Sequence, residues 1–194
     1  MDHRFVASYV WALPFGHGKK YAGTVNRAAD LAVGGWQLSG ITTFQTGFPF
    51  SIIGSDPLGL SGATNNRADY VPGCKIHGGP AGAFDRLNPA CFTNPALGEF
   101  GDTGRNFLRQ PGINNWDMAV GKDFTIAERL KFEFKMDTFN SFNHHQYAGD
   151  VGGLIVAGSG GNNAISNSVG SATFGQIVAS SSPRILQFSG KLRF

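Results

Sequence analysis

His144 and His145 stand side by side, a pairing of residues that could bind a metal or move a proton. Near a strand end adjacent side chains point to opposite faces, so the two do not easily share one ion. No third ligand follows at a ligand-like spacing. A polar exit from a strand into a loop is the plainer reading, and His3, His17 and His77 are scattered. The run Gly158-Ser159-Gly160-Gly161-Asn162-Asn163 lacks the Gly-Lys-Ser/Thr that opens a phosphate-binding helix. It also lacks the repeated Asp-bearing nonapeptides of a calcium roll, and reads as a surface loop. Ser180, Ser181 and Ser182 precede Pro183 without the Gly-x-Ser-x-Gly of a nucleophile elbow. Lys131, Glu133, Lys135 and Asp137 fall on every second residue, which makes one polar stripe on a strand rather than an acid–base pair. The expectation is a protein that is not an enzyme and carries no cofactor and no metal.

Cys74 and Cys91 lie in a stretch rich in Pro, Gly and Asn. In an exported protein such a pair closes a disulfide, worth about 3 kcal/mol for a loop of this size. In the cytosol it stays as two thiols. Without a second pair of ligands the two are a poor zinc site.

The elements that must hold these residues are strands. Gly is 28 of 194 residues, about twice the usual share of ~7%, and charged residues are 15% against a typical ~25%. That composition argues against a helical bundle, and the aromatic content of 12% argues against disorder. No apolar run is long enough for a transmembrane helix. The net charge of +3 is mild and its cations are scattered, so nucleic acid is not an expected partner. Five segments alternate with period two: 4–13, 36–52, 115–126, 130–142 and 184–194. The first is a strand rather than an export signal, because Phe5, Ala7, Tyr9 and Trp11 alternate with Arg4 and Ser8. The connections are unequal. Only Ala127-Glu128-Arg129 separates the third and fourth strands, whereas loops 54–112 and 145–183 are long and rich in Gly, Pro and Asn. In an up-and-down order the long loops fall at one end and the tight turn at the other, as in outer-membrane barrels.

Alternation alone fits a soluble β-sandwich equally well. Three features favour a membrane barrel. Trp11, Trp36, Trp116, Phe124 and Phe194 put aromatics near strand ends, the pattern of an interfacial girdle. The strands are about 10 residues or longer, enough for a tilted crossing. The polar faces carry charges of both signs, as a wet lumen allows. The expected lipid-facing set is Phe5, Tyr9, Trp11, Trp36, Leu38, Phe44, Trp116, Met118, Phe132, Phe134 and Phe188. Lys122 falls on the same face near the tight-turn end, where it is expected to snorkel outward.

The segments Gly35-Trp36-Gln37-Leu38-Ser39-Gly40-Ile41, Thr46-Gly47-Phe48-Pro49-Phe50, Gly104-Arg105-Asn106-Phe107-Leu108-Arg109, Asn115-Trp116-Asp117 and Asp137-Thr138-Phe139-Asn140-Ser141-Phe142-Asn143-His144 resemble TonB-dependent outer-membrane receptors. The resemblance is to the Oar-like subgroup, many of which carry an N-terminal carboxypeptidase-regulatory-like domain. It covers nearly the whole chain but only the C-terminal portion of such a receptor. Gln187, Gly190, Leu192 and Phe194 are similar to the terminal-strand signal read by the barrel-assembly machinery, with the Gly displaced by one position.

The resemblance implies an all-β fold, an open curved sheet that is part of a larger barrel of about 22 strands. Five strands fall short of the eight or so that the smallest membrane barrels use, so the chain reads as a fragment. The implied location is the cell outer membrane of a Gram-negative-type bacterium, and the implied role is energy-coupled nutrient transport. The implied partners are the rest of the barrel and plug, the assembly machinery, outer-membrane lipid and, through the plug, the TonB complex. The alternatives are a secreted or surface β-sandwich that binds glycans or proteins, and a structural or adhesion barrel. Arg67, Tyr70, Arg105 and Arg109 in the 54–112 loop are candidate ligand contacts, alongside Asn65, Asn66, Asp69, Arg86 and Phe92. Packing of the loop on itself is the plainer role for any one of them.

Overall fold

A computed structural model describes residues 3–60, 62, 66–78, 86–127, 129–147, 150–151, 154–155 and 164–194. They divide into two compact units. One contains Arg4–Phe44, Asn114–His144 and Ser182–Phe194, and holds a five-stranded sheet. The other is built from the described residues of Met1–His3, Gln45–Ile113 and His145–Ser181, that is, mainly from the two long connections.

The sheet strands are β1 (Arg4–Ala12), β2 (Trp36–Gln45), β3 (Ile113–Ala127), β4 (Leu130–Phe139) and β5 (Ile185–Arg193). They lie side by side in chain order, an up-and-down meander with β1 and β5 as its two edges. The sheet is open and does not close on itself. β4 pairs antiparallel with both neighbours, Phe134 standing opposite Lys122 of β3 and Gly190 of β5. That register puts Phe132, Phe134, Met136 and Thr138 on the same face as Phe124, Lys122, Val120 and Met118, and as Leu192, Gly190, Phe188 and Leu186. The alternation of each strand is thus in phase with its neighbours, and the sheet has one apolar and one polar face.

The apolar face is tied together by rings. Phe5 stacks on Phe44, and Phe44 meets Trp116 edge-on at 5.7 Å. Trp36 meets Phe134 at 6.2 Å, and Phe134 lies 6.4 Å from Phe188. Two glycines accept rings from the next strand: the Tyr9 ring covers Gly40, and the Phe132 ring covers Gly190. Despite these contacts the face is not a core. Phe5 is 60% exposed, Trp11 55%, Phe44 40% and Phe188 63%, far from the burial of a packed interior. The sandwich alternative fails on this point, since a sandwich would bury those side chains.

Two boundaries differ from the sequence reading. The second strand was expected to run to residue 52, yet β2 ends at Gln45. Gly47 lies so close to the Gln110 backbone that no side chain fits there, and Pro49–Phe50 pairs instead with Leu108–Arg109 in the other unit. The fourth strand, expected to reach residue 142, stops at Phe139 because Asn140 adopts a left-handed backbone at φ 51°.

The connection from β1 to β2 carries a short helix α1 (Arg27–Val33), with the Asn26 side chain accepting from Ala29 N–H as its cap.

The described residues of loops 54–112 and 145–183 pack around a core with the chain just before them. Their core is Phe50, Ile52, Ala68, Leu87, Cys91, Phe92, Leu108, Ile165 and Phe174, drawn from both connections. Two-residue ladders help to hold this unit, among them Pro49–Phe50 on Leu108–Arg109, Ile53–Gly54 on Asn66–Arg67, Asp69–Tyr70 on Phe92–Thr93 and Asp150–Val151 on Leu154–Ile155.

Candidate functional site

The polar face of the sheet is built from the odd-numbered residues of β2, β3, β4 and β5. The stripe of β4 is internally paired: Lys135 Nζ lies 2.7 Å from Asp137 Oδ1, and Arg193 of β5 bridges to Glu133. These are solvent-accessible ion pairs of small net worth. A shallow cavity of about 420 Å³ opens on this face, floored by Ser39, Ile41, Asp117, Ala119, Asp137 and Phe139. Its mixed lining suits a packed protein surface or a small amphipathic molecule.

At the exit of β4 the motif Asn140 to His144 is a hydrogen-bonded turn. Asn140 N–H donates to Asp117 Oδ1 at 2.9 Å, its Nδ2 donates to the His144 carbonyl, and His144 N–H donates back to Asn140 Oδ1. The Asn143 side chain accepts from Arg184 N–H, which sets the entry into β5. The resembling run of residues is therefore a structural lock. His144 Nδ1 sits 3.1 Å from the Asn114 carbonyl, while His145 stacks on Tyr147. Among the described residues no three His, Cys, Asp or Glu side chains gather to hold a metal.

Lys122 does not snorkel as expected. It is 6% exposed, and its ammonium donates to the backbone carbonyls of Leu31 (2.5 Å) and Asp30 (3.4 Å) in α1. The same Nζ lies 5.4 Å from the Trp36 ring and 4.9 Å from the Phe124 ring. Trp36 Nε1 donates to the Ala32 carbonyl at 2.8 Å. The Asp30 carbonyl already accepts from Gly34 N–H at the helix C-cap, while those of Leu31 and Ala32 lie in the last turn, where a lysine and an indole from the sheet supply donors. No local signal marks this in the sequence. A cation on an apolar strand face was the visible anomaly, and a seven-residue helix between glycines is too short to show a period.

In the loop unit the structure joins Cys74 to Cys91 as a disulfide, with Cα atoms 5.3 Å apart and Cys91 fully buried. Tyr70 is half-buried: its hydroxyl donates to the Cys74 carbonyl, and its ring meets Phe92 and Phe107. Arg109 Nη1 donates to the Gly47 carbonyl at 3.2 Å. Arg67 and Arg105 are exposed. The four candidates do not converge on one pocket, and Tyr70 and Arg109 serve the loop's own packing. Asn66, buried, donates from Nδ2 to the Glu99 carbonyl and accepts from Gly101 N–H. Asn65 and the run Gly158 to Asn163 lie outside the described residues.

On β5, Gln187 is opposite Asp137 on the polar face, whereas Gly190 and Leu192 oppose Phe134 and Phe132 on the apolar one. Phe194 is fully exposed. Tyr9, Trp11, Trp36, Leu38, Trp116 and Met118 take their places on the apolar face of β1, β2 and β3. The Tyr9 hydroxyl is buried there without a hydrogen-bond partner among the described residues.

Comparison with known proteins agrees with this geometry. The model of the outer membrane beta barrel domain family matches residues 1–187. No curated protein and no solved structure gives a match. An open meander with one bare apolar face and a family match over almost its full length lead to the same place: the chain belongs to the outer membrane beta barrel domain family and is an outer-membrane protein.

Proposed function

We propose that this chain is a barrel segment of a TonB-dependent outer-membrane receptor of the Oar-like kind, taking part in energy-coupled nutrient uptake without chemistry of its own. The observation that carries the reading is the combination of a bare apolar sheet face with long connections that fold into a cored, disulfide-closed unit. Apolar strand faces of this extent are covered by hydrocarbon, with Phe5, Phe44, Phe134 and Phe188 turned to lipid and the charged stripe of β4 to the lumen. The loop unit then stands at the outer surface, where ligand is met. Arg67 and Arg105 are among its exposed cations.

β1 and β5 are both edges, and hydrocarbon does not tolerate unpaired N–H and C=O groups. In this reading further strands of the receptor pair with them, a plug fills the lumen, and the TonB complex acts through that plug. The barrel-assembly machinery inserts the whole, reading Gln187, Gly190, Leu192 and Phe194. Sequencing the genomic DNA upstream of Met1 tests the reading. It predicts a continuous frame encoding further strands and a plug. A genuine start at Met1 with no such frame would contradict it.

A further inference from the structure

The connection between β1 and β2 is more than a turn. Its residues 14–23 form a tight loop: Tyr21 N–H donates to the Pro14 carbonyl, Gly16 N–H to the Tyr21 carbonyl and Gly18 N–H to the Gly23 carbonyl. The Phe15 and Tyr21 rings lie 5.5 Å apart, and Lys20 Nζ stands 5.4 Å from the Tyr21 ring. The loop is tied to α1 where His17 N–H donates to Asp30 Oδ1. The helix in turn is tied to the apolar face by Lys122 and Trp36. A whole connection is thus fastened over the side of the sheet that carries the aromatic rings.

Its outward residues are of two kinds. Phe15, Tyr21, Leu31 and Val33 are 41–48% exposed. Lys19, Lys20 and Arg27 are exposed beside them. The single carboxylate of this connection, Asp30, is already engaged by His17 N–H, and the acids Asp123 and Glu133 sit on the opposite, polar face. Exposed aromatic and aliphatic side chains flanked by three cations against one carboxylate suit an interfacial anchor for anionic headgroups.

We infer that the β1–β2 connection binds anionic phospholipid at the rim of the barrel, Lys19, Lys20 and Arg27 on the phosphates and Phe15, Tyr21, Leu31 and Val33 among the upper acyl carbons. The inference rests on the membrane placement above, and in particular on the tight-turn end facing the periplasmic leaflet. That leaflet is phospholipid, whereas the outer one is lipopolysaccharide.

The test uses the barrel that contains this chain, extracted from outer membranes and placed in phosphatidylcholine nanodiscs doped with phosphatidylglycerol, cardiolipin or lipopolysaccharide. Lipid retention is read by native mass spectrometry. The wild type is expected to retain phosphatidylglycerol and cardiolipin over phosphatidylcholine. Lys19→Gln, Lys20→Gln and Arg27→Gln are each expected to weaken that preference by up to about fivefold. Equal retention by the triple variant overturns the inference, as does a wild-type preference for lipopolysaccharide. A triple variant that does not assemble is replaced by the three single variants, whose unchanged retention likewise overturns it. The outcome is independent of a plug or of uptake, so a missing upstream frame and a missing lipid preference are separate failures.

Discussion

The Lys122 ammonium donates to the Leu31 carbonyl at 2.5 Å, joining the third sheet strand to a helix 91 residues earlier in the chain. A buried cation on an apolar face is costly unless its protons are taken up. Here two helix-end carbonyls take them, with two aromatic rings alongside. The pairing explains why a lysine stands where the alternation calls for an apolar residue.

Lys122→Met keeps the length and removes the donor. The Leu31 carbonyl then loses the lysine donor, whereas that of Asp30 keeps Gly34 N–H, at a cost of about 1–3 kcal/mol. The expected result is faster proteolysis within residues 14–35 of the membrane-embedded protein, with the β4–β5 pairing intact. An unchanged cleavage rate would show that the contact does not hold α1.

Cys91 is in the centre of the loop unit's core, and its bond to Cys74 closes a span of 17 residues. Cys74→Ala with Cys91→Ala is expected to destabilise that unit by about 3 kcal/mol. The check is protease resistance of the 45–113 region with and without reductant. Wild type should become sensitive on reduction, and the double variant should be sensitive from the start.

Asn140 combines a left-handed backbone with a side chain that bridges to His144 at both ends. Asn140→Ala loses the bonds and strains the backbone, at an expected cost of about 1–3 kcal/mol. Asn140→Gly relieves the strain but not the lost bonds, so it should fall between Ala and wild type in urea denaturation. Equal stability of all three would remove the turn's structural role.

Much of the sheet could be read from alternation. In β5, Leu186, Phe188, Gly190 and Leu192 face one way and Gln187, Ser189, Lys191 and Arg193 the other, and the pairing with β4 preserves both sets. The same signal overran at the end of β2. Phe48, Phe50 and Ile52 continue the even-numbered series, but Phe50 and Ile52 are buried in a different core, because strand period records a face and not a partner. The loop unit was legible only as length and turn residues. Its core joins Phe92 and Leu108 of one connection to Ile165 and Phe174 of another, and residues that distant in sequence carry no common period.

The most direct measurement compares Phe188→Arg with Ser189→Arg in the complete barrel, by reversible unfolding in lipid. The two residues are adjacent at the middle of β5, Phe188 opposite Met136 on the apolar face and Ser189 opposite Lys135 on the polar one. If the apolar face meets hydrocarbon, Phe188→Arg costs about 2–4 kcal/mol and Ser189→Arg close to none. Equal costs, or the larger one at Ser189, would contradict the placement.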